Sequence, residues 1–419
     1  MSELEIVNPI SAEEAAGWLA AMVTTFFGDV HDDQFARRVE HRREQWLPER
    51  TWGAREDGRW VATLNTQPRT LTVPGPGSGT VVLSADALTG VTVAATHRRR
   101  GLLTSMISGS LTAAKDRGDA LSMLLAAEWP IYGRFGYAPA VRYADYRYFP
   151  RPHTAKVAAS GRGSVRQIDP AEAGRLGPAI FDAASRRRVG QVNRPDAWWQ
   201  VRFGDNGLPL VRGEKIPTYV LRDGPDGPDG LLGWRPERDF DLIGNLAAIE
   251  VTDLIIASDD AYRDLWAYLS GIDAVGEIAV PGRPVDEQVR WLLPDGRALR
   301  KTYDGDHTWL RLLDVPAALA ARHYAVPARL VIEVVGDSFG FANGRFALDA
   351  DAAGSECVPT SEPAELRLTH TALASVYLGG YRLRELAIGG GVEELRPGAI
   401  ARADVMFASP QEPWNATGF

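Results

Sequence analysis

A strand, a basic turn and a helix follow one another within residues 91–104 of the chain. Up to Val93 apolar and polar residues alternate, which is the period of a β-strand, and from Leu103 the apolar residues recur with the spacing of one helix face. A run of arginines and Gly101 lie between the two patterns. With the helices and strands expected on either side, this unit predicts a mixed α/β sheet with helices on its faces.

The turn has the chemistry of a phosphate-binding site. The first amide hydrogens of a helix have no partners within the helix, and its amino end carries partial positive charge. A glycine lets the main chain approach a phosphate closely, and arginine side chains add positive charge. The stretch has neither the Walker pattern nor the dinucleotide fingerprint. For the turn alone an exposed basic loop is the alternative, and the candidate binding residues are Arg98, Arg99, Arg100, Gly101, Leu102, Leu103 and Thr104.

The spacing Arg98-x-x-Gly101-x-Leu103 resembles the coenzyme A loop of the GNAT acetyltransferases, Arg/Gln-x-x-Gly-x-Gly/Ala, and departs from it in the final leucine. A second stretch reads Glu128-Trp129-Pro130-Ile131-Tyr132-Gly133-Arg134-Phe135-Gly136-Tyr137. Together they resemble the "enhanced intracellular survival" (Eis) acetyltransferases of actinobacteria, closely in the first third of the chain and in outline over its whole length. The resemblance implies an α/β and α+β multidomain chain, with two tandem GNAT folds, each a mixed β-sheet flanked by helices, and a C-terminal sterol-carrier-protein-like domain.

Changes in composition indicate where these domains meet. Two prolines and the stretch Ser160-Gly161-Arg162-Gly163 follow residue 149, and the sequence texture changes again beyond Lys301. The three expected domains are an N-terminal GNAT domain that binds acetyl-CoA (1–150), a second GNAT-like domain (151–302) and a sterol-carrier-protein-like domain that supplies the chain terminus (303–419). The arginines at 186–188 repeat the first basic turn, but no alternating strand precedes them, so the second domain is expected to lack a cofactor loop.

Charge and cysteine content limit the environment and partners of the protein. The 419 residues carry a formal net charge of −8, which disfavours nucleic acid as a partner and favours small cationic molecules. The single cysteine, Cys357, excludes internal disulfides and indicates a reducing compartment. The acidic amino end is no signal peptide, and no apolar run reaches membrane-spanning length. We therefore expect a cytoplasmic protein without a membrane span.

Acetyl transfer to an amine needs a neutral amine, a polarised thioester carbonyl and a proton for the departing thiolate. The resemblance implies acetyl-CoA as cosubstrate and no metal, with Tyr132 as the general acid, and a phenol with a pKa of about 10 keeps its proton at neutral pH. Main-chain amides at the end of the strand would polarise the carbonyl. The further residues expected along the cofactor are Val91, Thr92, Val93, Ala127 and Glu128.

The general base implied by the resemblance is the α-carboxylate of the last residue, Phe419. A free α-carboxylate has a pKa of about 3.3–3.7 and is a weak base, but burial would raise its basicity. The tail from Trp414 onward is aromatic and nearly uncharged, which predicts that it is packed inside the protein. Without the resemblance, a disordered tail end is the alternative interpretation.

The identity of the acceptor substrate is what the sequence constrains least. The resemblance implies aminoglycosides acetylated at several amines in a wide acidic cavity, for which the first helices offer Phe26, Phe27, Asp29 and Phe35 as lining. It also implies a homohexamer built as a trimer of dimers. Two other functions remain open: a protein lysine N-acetyltransferase, and a non-enzymatic lipid- or sterol-binding protein that uses its last domain.

Overall fold

The computed structural model describes residues 4–31, 34–150, 156–203, 216–239, 246–351 and 353–419. Within these ranges the strands form two sheets of seven strands and one of five, with helices packed on their faces. Every helix in the described ranges is too short or too polar to span a bilayer.

The first sheet has the strand order β1-β2-β3-β4-β5-β14-β6. Its elements from the first third of the chain are β1 (Leu4–Val7), α1 (Ala15–Thr25), α2 (Phe35–Arg43), β2 (Thr51–Glu56), β3 (Arg59–Pro74), β4 (Thr80–Val93), α3 (Leu102–Asp116), β5 (Leu121–Leu125), α4 (Trp129–Tyr132) and β6 (Ala138–Pro139), and β14 is Thr308–Leu312. Asp57 and Gly58 both have positive φ, which gives β2 and β3 a tight hairpin turn.

The second sheet has the order β13-β7-β12-β11-β10-β9-β8. Its elements are β7 (Arg142–Tyr148), β8 (Ser164–Ile168), α5 (Pro170–Ser185), α6 (Asp196–Phe203), β9 (Thr218–Gly224), β10 (Gly227–Arg238), β11 (Ala247–Ile256), α7 (Asp259–Gly271), β12 (Val275–Arg283) and β13 (Leu299–Asp306). The third sheet, β17-β16-β15-β18-β19, and its helices comprise α8 (Val315–Ala320), β15 (Ala328–Val335), β16 (Gly344–Ala350), β17 (Ser355–Pro359), β18 (Leu366–Thr369), α9 (His370–Val376), α10 (Leu383–Ile388), β19 (Val392–Glu394) and α11 (Ala399–Phe407).

Strand pairing interlocks the three segments of the chain. The alternation at 137–149 predicts a single strand, but the structure divides it between β6 of the first sheet and β7 of the second. The division falls at Ala140 and Val141, whose main-chain N–H groups both donate to the carbonyl of Thr308. In exchange, β14 enters the first sheet between β5 and β6. The expected ranges 1–150, 151–302 and 303–419 therefore divide the sequence but not the sheets. A strand of the third range, β14, lies in the first sheet, and a strand of the first range, β7, lies in the second.

One hydrophobic core joins the first sheet to the third. It includes Leu71, Leu121 and Leu310 of the first sheet and Ile332 of the third. Cys357 is buried in this core, where burial raises the pKa of its thiol to about 12, so the thiol stays protonated and acts as a small apolar side chain. Because the core is continuous, the end of the chain is held close to the first sheet rather than on a separate body.

Candidate active site

A cleft opens in the first sheet where two neighbouring strands separate. β4 and β5 pair in parallel from Ala85 with Leu121 to Leu88 with Leu124, and they pair no further. From Thr89 onward β4 pairs with β3 only. The β5-facing edge of β4 at 91–93 therefore has no strand partner in the described part of the chain, and its main-chain groups are available to a ligand.

Gly90 shapes this part of β4. Its φ is +60°, and a Cβ built there would lie 3.0 Å from the Sδ atom of Met22 and 3.3 Å from Trp18. The Oγ1 atom of Thr63 donates to the Gly90 carbonyl at 2.8 Å. Glycine is therefore required here by the main chain and by close packing against α1.

The basic turn lies at the end of β4 and leads into α3. Arg99 has a φ of +63°, and Gly101 has a φ of +81° and is the residue before the first turn of α3. No side chain caps this helix end, so the amides of 102–104 point away from the helix without a side-chain acceptor. The left-handed conformation of Gly101 is readily adopted only by glycine, which explains its place in the turn.

The three arginines of the turn differ in their contacts. Arg98 and Arg99 are exposed, and neither forms an ion pair with any residue that the structure describes. Arg100 donates from Nη2 to Oε1 of Glu56 at 2.9 Å. The other oxygen of Glu56 lies 2.8 Å from Nε2 of His97, whose side chain is half-buried, and this contact ties the turn to β2.

Tyr132 lies on the opposite side of the cleft, at the end of α4. The exposed residues Ala127 and Glu128 connect β5 to this helix. The Tyr132 side chain is buried, and its ring meets that of Tyr137 edge to face at 6.4 Å. Burial, and then the charge of Glu128, raises the pKa of Tyr132, so its hydroxyl keeps its proton through the neutral range.

A buried ion pair between Arg311 and Asp337, in the third segment of the chain, fixes the loop that follows Tyr132. Arg311 of β14 donates to the Phe135 carbonyl and to Oδ1 of Asp337 at 2.9 Å, and both charged side chains are almost completely buried. Gly136 lies against this guanidinium with a φ of +86°, and a Cβ there would overlap Nη1. The third segment of the chain therefore positions the loop that carries Tyr132.

The last residue reaches the mouth of the cleft. Oγ1 of Thr89 donates to the main-chain O of Phe419 at 3.1 Å, and Thr89 is the first residue of β4 beyond its pairing with β5. The Phe419 side chain is half-buried and packs against the shared core, as the apolar tail predicts. The terminal carboxylate thus lies on the same strand that lines the cleft.

The tail is held by the segment 188–194, whose role the sequence does not reveal. This segment bonds to β3 on one side, where Gly190 donates to the carbonyl of Thr72 at 2.8 Å. On the other side Thr417 donates from Oγ1 to the carbonyl of Val192 at 3.0 Å. Asn415 and Thr417 are buried, and no local pattern distinguishes these two polar residues from those of an exposed tail.

A cavity of about 480 Å³ adjoins Phe419. The expected lining residues Phe26, Phe27, Asp29 and Phe35 do not line it, and Phe27 is fully exposed. The cavity that contains Phe419 is basic rather than acidic as expected, because α2, β3 and α6 each contribute an arginine. Its described lining residues are His41, Arg42, Gln45, Gln67, Arg69, Ala197, Trp198, Val201, Arg202, Gly418 and Phe419.

The second sheet repeats the separation of two parallel strands but not the basic turn. β11 and β12 pair in parallel up to Glu250 and Ala279 and then part. The helix that follows, α7, is capped by Ser258, whose Oγ accepts from the amide of Ala261, and its first turn carries Asp259 and Asp260. A phosphate at this helix end would meet a capped amide and two negative charges, so the geometry favours the first cleft for a phosphate-bearing ligand.

Comparison with known protein families gives three matches along the chain. Two are to acetyltransferase (GNAT) domains, at residues 7–140 and 190–312. The third is to a sterol carrier protein domain at residues 315–416. These matches confirm two tandem GNAT folds followed by a sterol-carrier-like domain.

Relatives match along nearly the whole chain. An "Uncharacterized N-acetyltransferase" of Streptomyces griseus is 39% identical over 97% of this chain and 98% of its own. The N-acetyltransferase Eis of Mycobacterium tuberculosis is 34% identical over 81% of both chains. Among solved structures, that of Eis1 from Mycobacterium abscessus superposes with a TM-score of 0.85 at 30% identity, and it covers 99% of this chain and 100% of that one.

Proposed function

The chain belongs to the Eis family of GNAT N-acetyltransferases, and on that premise we propose that it moves the acetyl group of acetyl-CoA directly to an amine beside Phe419. The observation that carries this proposal is the hydrogen bond from Thr89 to the terminal residue at the mouth of the first cleft. It brings a carboxylate from the far end of the sequence to the strand that would hold the thioester. The lipid-carrier alternative gives no reason for this arrangement.

The residues of the first cleft fit acetyl-CoA. The uncapped amides of 102–104 and the exposed guanidinium groups of Arg98 and Arg99 suit a pyrophosphate, whereas Arg100 is already engaged by Glu56. The open edge of β4 at Val91, Thr92 and Val93 suits the extended pantetheine arm and the thioester carbonyl, and Ala127 and Glu128 would lie on the opposite bank. When bound, acetyl-CoA supplies an acetyl group already activated as a thioester.

The roles of the protein side chains follow from their charge and placement. Tyr132 holds a proton that it can donate to a departing thiolate, because burial keeps its phenol neutral. The carboxylate of Phe419 attracts an ammonium group and accepts its proton. Main-chain N–H groups of 91–93 on the open edge of β4 can donate to a carbonyl oxygen as negative charge develops there.

Substitution of Arg99 by alanine is expected to weaken acetyl-CoA binding by about 10- to 100-fold, the scale of a hydrogen bond to a charged group. The reason is that Arg99 is exposed and forms no ion pair with the described residues. The measurement is the Kd for acetyl-CoA by calorimetry. Arg100→Ala is the matched control: its guanidinium is held by Glu56, so it should change the Kd less. Equal Kd values for Arg99→Ala and the unmodified protein would argue against this turn as the pyrophosphate site.

Acceptor class is tested by thiol release from acetyl-CoA in the presence of different amines. Aminoglycosides, which the resemblance implies, and a lysine-containing peptide, for the protein-acetylating alternative, are the two groups to compare. We expect thiol release with at least one amine and none beyond the background rate without one. Failure of every amine, with acetyl-CoA bound, would contradict the proposed function.

A homohexamer remains part of the proposal on the resemblance alone, and light scattering measures it.

A further inference from the structure

We propose that the cavity beside Phe419 selects amines that also carry an anionic group, such as a carboxylate, over amines that carry further positive charge. The inference rests on the proposed function, because it takes the amine to react beside the terminal carboxylate. It differs from the expectation of polycationic acceptors, and it follows from three arginines, Arg42, Arg69 and Arg202, that line the same cavity as Phe419.

The strand register places one of these arginines on the same face of the sheet as the terminal residue. Thr89, which binds Phe419, pairs with Asn65 of β3, and Ala85 pairs with Arg69. Alternate residues of a strand share a face, so Asn65, Gln67 and Arg69 form a row on one side of β3. The row is about 13 Å long between its end residues. The Arg69 guanidinium donates to Oε1 of Gln67, so it lies part of the way back along the row toward Asn65.

The second and third arginines approach the cavity from two other elements. Arg42 on α2 donates to Oδ1 of Asn65 at 2.5 Å, and Arg202 on α6 donates to the carbonyl of Thr252 at 3.2 Å. All three arginine side chains are half-buried. Three separate elements, α2, β3 and α6, therefore each place a positively charged side chain in one cavity.

These charges are not neutralised by the described residues. None of Arg42, Arg69 and Arg202 forms an ion pair with a carboxylate in the part of the chain that the structure describes, and their hydrogen bonds to described residues go to neutral oxygens. The Nε atom of Arg69 is buried and has no hydrogen-bond partner among those residues. A buried donor without a partner is costly, and an anion would satisfy it.

Burial, and then the nearby charge of Arg42, lowers the pKa of Arg69 to about 10. The guanidinium still carries its charge at neutral pH, but two positive groups are held close together with little solvent. An anionic group on the ligand would relieve this repulsion, and an additional ammonium group would increase it. Among the described lining residues, the carboxylate of Phe419 is the only anion, and it is assigned to the reacting amine.

The ligand that fits both ends therefore has an amine at one end and an anion at the other. Its ammonium group would lie by Phe419, and its anion would reach the guanidinium groups. Guanidinium groups bind carboxylate and phosphate through paired N–H donors, so either anion would satisfy the site. Acceptors that differ only in the group opposite the amine can therefore test whether the cavity prefers an anionic, a neutral or a cationic group there.

The experiment uses δ-aminovalerate, pentylamine and cadaverine, which present a carboxylate, a methyl and an ammonium group opposite the same amine. Their binding to the full-length protein is measured by calorimetry, and their acetylation is measured as kcat/KM with acetyl-CoA. We expect δ-aminovalerate to bind and react better than cadaverine by about 10- to 100-fold. Arg69→Gln, which keeps a polar side chain but removes the charge, should reduce this preference by about 10-fold or more.

Arg175→Gln is the matched control, because Arg175 is an exposed arginine of α5 that does not line the cavity. It should leave the preference unchanged. Equal binding of δ-aminovalerate and cadaverine, or an unchanged preference in Arg69→Gln, would overturn the inference even if every amine is acetylated. Absence of acetylation with all three amines would instead count against the proposed function, while the binding series still decides the charge preference.

Discussion

A chain that ends at Gly418 is expected to lose acetyl transfer by about 10²- to 10⁴-fold, the scale of general base catalysis. Deletion of Phe419 leaves a carboxylate one residue earlier, displaced along the chain by about 3.8 Å between Cα atoms. The hydrogen bond from Thr89 and the packing of the phenyl ring against the core are lost together. Because the proposed mechanism assigns Phe419 to the acceptor amine, the Kd for acetyl-CoA should stay the same.

Two further variants separate the carboxylate from the ring. Phe419→Ala keeps the terminal carboxylate and loses the ring, so it should retain more activity than the deletion. Thr89→Val keeps the shape of the side chain and loses its donor, and it should lower kcat by about 10-fold or more, the scale of a hydrogen bond to a charged group. The measurements are kcat and the acetyl-CoA Kd for each. Unchanged kcat in the chain that ends at Gly418 would remove Phe419 from the mechanism.

Tyr132→Phe is expected to lower kcat by about 10²- to 10⁴-fold, the scale of general acid catalysis, with little change in acetyl-CoA affinity. The substitution removes only a hydroxyl, and the ring contact with Tyr137 can persist. Tyr137→Phe is the matched control in the same segment: its hydroxyl is bonded to Oγ of Ser122 at 2.7 Å within the core, so its loss should affect stability more than turnover. Similar kcat values for the two variants would argue against Tyr132 as the acid.

The pH dependence of kcat should follow the direction of the Tyr132 pKa. Burial and Glu128 raise this pKa above its ordinary value of about 10, and an acid works only while it holds its proton. Loss of activity through deprotonation of Tyr132 should therefore begin at a higher pH than the pH at which an exposed tyrosine loses its proton. Glu128→Gln removes one of the two causes of the raised pKa, so it should move the high-pH loss of kcat to lower pH. A shift to higher pH would contradict the assignment.

Local signals in the sequence are sufficient for the elements that form the cleft. The apolar spacing from Leu103 predicts α3, which begins at Leu102, and the helix after Ser258 begins with that serine as its cap. The arginines and Gly101 locate the turn because the main chain is left-handed at residue 101, a conformation that glycine adopts without strain. These features depend on neighbours within a few residues, which a single sequence contains.

The rest of the site depends on contacts between distant residues. Thr89 and Phe419 are separated by 330 positions, and no periodicity relates them. The division of 137–149 between two sheets depends on the carbonyl of Thr308, because the alternation of residues continues through the break. The basic cavity escaped the sequence interpretation for the same reason: Arg42 and Arg202 belong to helices that are far apart in the chain. Only the resemblance to a family indicated that the tail reaches the cleft.

The most direct measurement is the turnover of a full-length chain whose Phe419 ends in a carboxamide, prepared by ligation of a synthetic C-terminal peptide. This change keeps the ring, the length and the oxygen that accepts from Thr89, and it removes only the negative charge and the basic oxygen. We expect kcat to fall by about 10²- to 10⁴-fold while the Kd for acetyl-CoA is unchanged. A carboxamide chain that turns over as fast as the matched carboxylate chain would contradict the role of Phe419 as the base.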